Sequence, residues 1–215
     1  MSDSLEFINK TAVEVVSLLR KEEISPSDLL LCLQDRIDSI DHQVNALPTL
    51  CFERAFERAN GLEKKPIEER GILAGLPIPI KDLTPVEGIL FTSGSTIFKD
   101  RIASYSDMSV ERIEAEGGIV YAKSNTPEFG AGGNTFNNVF GNTLNPWDLR
   151  MSTAGSSGGA AAALASGMAW LAHGSDMGGS LRNPASFCGV VGMRPSPGRI
   201  AQGPGLLPFN SLGVQ

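Results

Sequence analysis

The chain has 215 residues, 41% hydrophobic and 20% charged, with a net charge of -6 and no block of lysine or arginine. That is the composition of a globular domain with a sizeable core, and it argues against free nucleic acid or an anionic membrane as the main partner. The three cysteines, Cys32, Cys51 and Cys188, lack metal-like spacing, MSDSLEFINK shows no secretory pattern, and the longest apolar run (158–172) is too short to span a bilayer; a reducing, cytoplasmic setting is expected.

The first third reads as helices. Thr11 and Glu14 form a capping box before an apolar stripe of Val15, Val16, Leu18 and Leu19. Ser25 caps a second helix with Pro26 in its first turn, and its apolar face runs through Leu29, Leu30, Leu33, Ile37 and Ile40, leaving His42 in a polar turn. A third helix spans Phe52 to Leu62. Near Gly71 the character changes: GILAGLPIPIKD reads as a strand ending at Lys81-Asp82. Asp107 to Gly117 reads as a helix and Ile119 to Ala122 as a strand. Residues 125–150 read as loop, 158–166 as helix and 168–173 as a buried strand. The expected fold is α/β, a layered domain with a mixed, partly parallel central sheet flanked by helices. Its expected division is a helical segment, 1–65, packing on an α/β part, 66–215.

Three places carry possible chemistry. Lys81 ends an apolar strand, where it is either desolvated and a base near neutral pH, or a strand-end lysine reaching into water. Ser156 and Ser157 lie between glycines just before a helix, in a stretch without the residues of a P-loop or a dinucleotide fingerprint. Ser180 follows Gly178-Gly179 in GSDMGGSLRNPASFCG. Consecutive glycines are costly in conformational entropy and suggest close backbone approach. A serine nucleophile needs a base. The two histidines, His42 and His173, suit a triad poorly, no G-x-S-x-G elbow is present, and no metal-ligand spacing occurs. Ser–Lys chemistry fits this composition better.

GLPIPIKDLTPVEGILFTSGS, AKSNTPEFGAGGNTFNNVFGNTLNPWD and the long GSSGGAAAALASGMAWLAHGSDMGGSLRNPASFCGVVGMRPSPGRI resemble, in order, three segments of the amidase signature family. The resemblance implies a hydrolase that cleaves a carboxylic acid amide to acid and ammonia or amine, through an acyl-enzyme and without a cofactor. It implies Ser180 as nucleophile, Ser156 as bridging serine after a cis peptide bond from Gly155, and Lys81 as base. Backbone N–H groups of Met177, Gly178 and Gly179, with Ser180, would meet the oxyanion. Ser157, Asp176 and Arg182 would support the site, with Asp176 and Arg182 paired; Asn134 and Thr153 are weaker lining candidates, and Cys188 reads as core. The chain departs from the family pattern at Ala154, Met177 and Arg194. Family members are about twice as long, so an N-terminal, signature-bearing part is expected, with the remaining part or a second copy as possible partner. Two other readings stand beside the small-molecule amidase. One is the A-type subunit of an amidotransferase, the case in which nucleic acid becomes a partner. The other is a noncatalytic scaffold.

Overall fold

The helical third forms because its caps and its apolar stripes agree. In the computed structural model, which describes residues 4–204 and 213–215, a short helix α1 (Ser4–Ile8) precedes α2 (Ala12–Arg20). Thr11 Oγ1 accepts the Glu14 N–H at 3.3 Å, and Glu14 Oε2 accepts the Thr11 N–H at 2.7 Å. Ser25 and Asp28 make the same reciprocal pair, at 3.0 and 3.1 Å, at the start of α3 (Pro26–Val44). This helix runs past the expected polar turn, so His42 lies within it. Buried Val44 continues the apolar face, and Asn45 stops the helix in the left-handed region at φ 56°. A two-residue strand β1 (Thr49–Leu50) then leads to α4 (Phe52–Glu63).

The next run supplies the sheet. Strand β2 (Pro77–Lys81) crosses over through α5 (Met108–Ala115), capped by Asp107, to β3 (Ile119–Ser124). The order is β1-β3-β2, with β1 antiparallel and β2 parallel to β3. The sheet is therefore mixed, as expected. Along β3, alternate residues go to different apolar clusters: Ile119 and Tyr121 pack with Leu33, Ile37, Ala55 and Ala162, and Val120 packs with Val15, Leu19, Ile78 and Ile80. Burial on both faces is why both strands read as nearly continuous apolar runs.

Residues 125–150 are less irregular than expected. They hold two small hairpins, β4 (Phe136–Asn137) with β5 (Gly141–Asn142), and β6 (Leu144–Asn145) with β7 (Asp148–Ser152). Helix α6 (Gly158–Ala165) follows as predicted. The strand expected over 168–173 does not form. The Met168 N–H closes the end of α6 on Ala163 O, its carbonyl accepts the Tyr121 hydroxyl, and only His173 reaches β2, donating its N–H to Pro79 O at 3.1 Å. With those groups engaged elsewhere, no ladder remains for a strand. A further helix, α7 (Arg182–Cys188), was not expected. The segment around Cys188 is core only in part: Cys188 and Ala185 are buried, whereas Phe187 and Val191 are 57% and 92% exposed.

Candidate active site

Lys81 stands at the carboxyl end of β2, where the sheet stops and loops begin, and it is fully buried. Its Nζ is hydrogen-bonded to three hydroxyls: Ser156 Oγ at 2.7 Å, Ser157 Oγ at 2.8 Å and Ser175 Oγ at 3.0 Å. Burial pushes the amine down to about 7, against an opposing pull from the Asp176 carboxylate. The desolvated reading of this lysine is the one the structure takes. A neutral amine has two N–H donors and one lone pair, so three hydroxyls can satisfy it completely.

The serines reach Lys81 because the turn before α6 packs tightly. The Gly155–Ser156 peptide is cis. A Cβ on Gly158 would lie 2.2 Å from Thr135 Oγ1 and 2.4 Å from Thr153 Oγ1, and one on Gly159 would lie 2.3 Å from Asn125 N and 2.7 Å from Ala46 O. Only glycine lets the turn press against β3 this closely. Asn134 and Thr153, the weaker candidates, pack on this turn: the Asn134 backbone lies 3.0–3.2 Å from a Cβ built on Gly155.

Ser157 ties the two halves of the site together. Beyond Lys81, its Oγ donates to Ser175 O at 3.2 Å and accepts the Ser175 N–H at 3.3 Å, and its own N–H donates to Ser180 O at 3.1 Å. Ser180 is thus brought to the cluster through its carbonyl. Among the described residues, no hydrogen bond joins the hydroxyls of Ser156 and Ser180.

The loop carrying Ser180 is organised around Asp176, whose side chain is fully buried. Its carboxylate accepts the N–H groups of Gly179 (2.8 Å), Leu181 (3.1 Å) and Arg182 (3.4 Å), both arms of the Arg182 guanidinium at 3.0 Å each, and Arg194 Nη1 at 3.0 Å. Burial works against ionisation here, but the hydrogen bonds from Arg182 and the backbone hold the carboxyl well below the usual range. The expected Asp176–Arg182 pair is formed, and Arg194 adds a second guanidinium. One correction concerns the oxyanion donors: the Gly179 N–H is engaged by Asp176 and does not face outward. Gly179 is glycine for its backbone (φ 115°) and because a Cβ would meet Asn183 Nδ2 at 2.7 Å. Gly178 has open space around it, and Met177 is 70% exposed.

Ser175 was not anticipated; its position next to Asp176 in the glycine-rich loop was the available signal. His173 takes no part in the cluster. Burial pushes it down to about 4, and its Nε2 meets Gln215 Oε1 at 3.2 Å. Cys188 is buried, with its thiol pushed up to about 11, and lies off the cluster.

Comparison with known proteins places the whole chain. The model of a family described as Amidase matches residues 28–214. The A-type subunit of the glutamyl-tRNA(Gln) amidotransferase of Moorella thermoacetica is 42% identical over 209 residues, covering 96% of this chain and 43% of the relative. Among solved structures, a 6-aminohexanoate cyclic dimer hydrolase complexed with substrate superposes with a TM-score of 0.85 at 36% identity, over 92% of this chain and 40% of that one. The A-type subunit of the Thermotoga maritima amidotransferase gives a TM-score of 0.76 at 34% identity, over 89% and 39%. The chain spans less than half the length of these proteins.

Proposed function

The chain belongs to the amidase family, and from that premise we propose that it carries the catalytic groups of an amide hydrolase acting through a Lys81–Ser156–Ser180 relay. The observation that carries the reading is the buried Lys81 amine held 2.7 Å from Ser156 Oγ. Neutral Lys81 takes the Ser156 proton as Ser156 takes that of Ser180. The Ser180 oxygen attacks the amide carbonyl, and the resulting oxyanion meets the backbone N–H groups of Met177 and Gly178, with that of Ser180. Each such donor is worth about 3–4 kcal/mol in the barrier. The relay then returns a proton to the nitrogen as the C–N bond breaks, which makes an amine a competent leaving group. Water hydrolyses the acyl-serine by the same proton path run again. The hydroxyls of Ser156 and Ser180 close to hydrogen-bond distance in the substrate complex, where such contacts tighten.

The substrate is a small carboxylic acid amide. A second reading, favoured by the 42% identity to the A-type subunit of an amidotransferase, makes the amide that of glutamine and adds partner subunits and tRNA. Glutamine hydrolysis that appears only with those partners distinguishes it from free amide hydrolysis. The three cysteines are free, which agrees with our placing the protein in the cytoplasm; no helix among the described residues is long and apolar enough to cross a membrane.

Covalent labelling tests the proposal. A fluorophosphonate should form one adduct on Ser180, lost in Ser180→Ala and greatly slowed in Lys81→Ala at neutral pH. A folded chain that takes no adduct, or takes it elsewhere, supports the scaffold reading instead.

A further inference from the structure

Lys123 and Asp82 form a fully buried ion pair at 3.2 Å, and no step of the proposed chemistry uses it. A buried pair gains little over apolar residues of the same volume, because desolvation offsets the attraction. Its place directly behind Lys81 therefore calls for a positional reason, and the contacts supply one. Lys123 is the β3 register partner of Ile80, and Ser124 is that of Lys81. Lys123 Nζ donates to Asp82 Oδ1 and, at 2.8 Å, to Thr84 O. One ammonium thus closes the turn that follows Lys81. The Asp82 N–H donates to Ser124 O at 3.1 Å and the Thr84 N–H to Lys81 O at 3.0 Å, closing its other side.

The Asp82 carboxylate also holds a second segment. It accepts the Thr92 N–H at 3.2–3.3 Å and the Thr92 hydroxyl at 2.5 Å. Next along, Ser93 O accepts the Phe129 N–H at 2.8 Å, and Ser95 Oγ donates to Glu128 Oε1 at 2.6 Å. Between them, Gly94 packs so that a Cβ would lie 2.9 Å from Thr126 O. Gly130, after Phe129, lies against the bridging serine: a Cβ there would be 3.6 Å from Ser156 Oγ. From one ion pair, contacts lead to Lys81 on one side and, through the 92–95 and 126–130 segments, to the neighbourhood of Ser156 on the other.

We infer that Asp82 and Lys123 are positioning residues: their ion pair braces the end of β2 and the 92–95 loop together, and so fixes the separation of the Lys81 amine and the Ser156 hydroxyl. The inference rests on the reading of Lys81 as base. The other charged or titratable groups facing the two lysines are Asp176 around Lys81, Arg101 and Cys51 around Lys123, and His173, which faces both, with Asp107 beyond it. Asp82 is the carboxylate opposite Lys123, so removing Lys123 leaves it buried and unpaired. Both that charge and a loosened, better hydrated Lys81 favour the ammonium form.

The test is NMR of the full chain labelled with 13Cε-lysine, with the rate of Ser180 labelling by a fluorophosphonate measured alongside. Lys123→Met should raise the Lys81 titration by at least roughly 0.5 pH unit and slow Ser180 labelling about tenfold near neutral pH. Lys123→Arg, which still reaches Asp82 and Thr84, should restore most of both. If Lys123→Met does not fold, the double variant Asp82→Asn with Lys123→Gln, which leaves no buried charge, should show the same upward shift through loss of the brace. A folded variant of either kind in which Lys81 titrates as in the unsubstituted chain overturns the inference. Failure of the underlying reading looks different: Lys81 of the unsubstituted chain would itself remain an ammonium up to alkaline pH.

Discussion

The backbone N–H of Ser157 donates to the carbonyl of Ser180 at 3.1 Å, while the Ser157 hydroxyl holds Lys81 at 2.8 Å. One residue therefore connects the base of the proposed relay to the loop that bears its nucleophile, without passing a proton itself. Ser157→Ala keeps the backbone bond and loses the hydroxyl's contacts to Lys81 and Ser175. It should cost about 1–2 kcal/mol of stability in urea denaturation and slow Ser180 labelling far less than Ser156→Ala does. Equal losses from the two substitutions would contradict the distinct roles given to them.

Burial depresses three bases, Lys81, His173 and Lys123, and the first two define the pH windows. Lys81 goes from an ordinary 10.5 to about 7, and His173 from 6.5 to about 4. Between about 7 and 10.5 the unfolded chain carries more protons at Lys81, and between about 4 and 6.5 more at His173. Stability should therefore rise with pH through both windows and fall on acidification through them. Asp176, held low, loses its contribution as pH falls below the ordinary carboxylate range. Activity should rise with a single proton dependence centred near 7 and then level off. A rate independent of pH from 6 to 9 speaks against a Lys81 base.

Asp176 gathers six hydrogen bonds, two guanidiniums among them, and its side chain has no solvent exposure. Asp176→Ala removes the acceptor for all of them and should cost about 3–5 kcal/mol, the usual result of breaking a buried pair. Arg182 is 54% exposed and Arg194 remains when it is removed, so Arg182→Ala should cost far less than Asp176→Ala. Thermal or urea unfolding of both variants checks the order; a larger loss for Arg182→Ala would contradict it.

Two glycine substitutions separate packing from chemistry. Gly159→Ala places a methyl 2.3 Å from Asn125 N and 2.7 Å from Ala46 O, backbone atoms that cannot move aside. It should destabilise the chain by about 1–3 kcal/mol. Gly178→Ala meets nothing within 4 Å. It should leave the melting temperature almost unchanged, so any fall in Ser180 labelling reads directly on access to the backbone N–H groups there.

Much of this was legible because local and tertiary requirements coincide. The boxes at Thr11 and Ser25 name helix starts with their own side chains, and the apolar run to Lys81 marks a strand buried on both faces. The pairing of Lys81 with Ser156, 75 residues on, followed from the resemblance and not from spacing alone. What escaped depends on partners distant in sequence. Residues 168–173 look like a strand, yet Tyr121 and the end of α6 claim Met168. Gly179 looked like a donor to the oxyanion, yet Asp176, three residues earlier, takes its N–H. Lys123, one residue past the strand expected over Ile119 to Ala122, is legible as a buried cation only once Asp82 is seen opposite it.

The mechanism stands most directly on the protonation state of one amine. Titration of the Lys81 Cε resonance in the 13Cε-lysine-labelled chain, assigned with Lys81→Ala, should show a midpoint near 7, with the neutral form dominant by pH 8. A Lys81 that stays charged up to pH 10, as a solvated lysine does, would leave Ser156 without a base and contradict the mechanism.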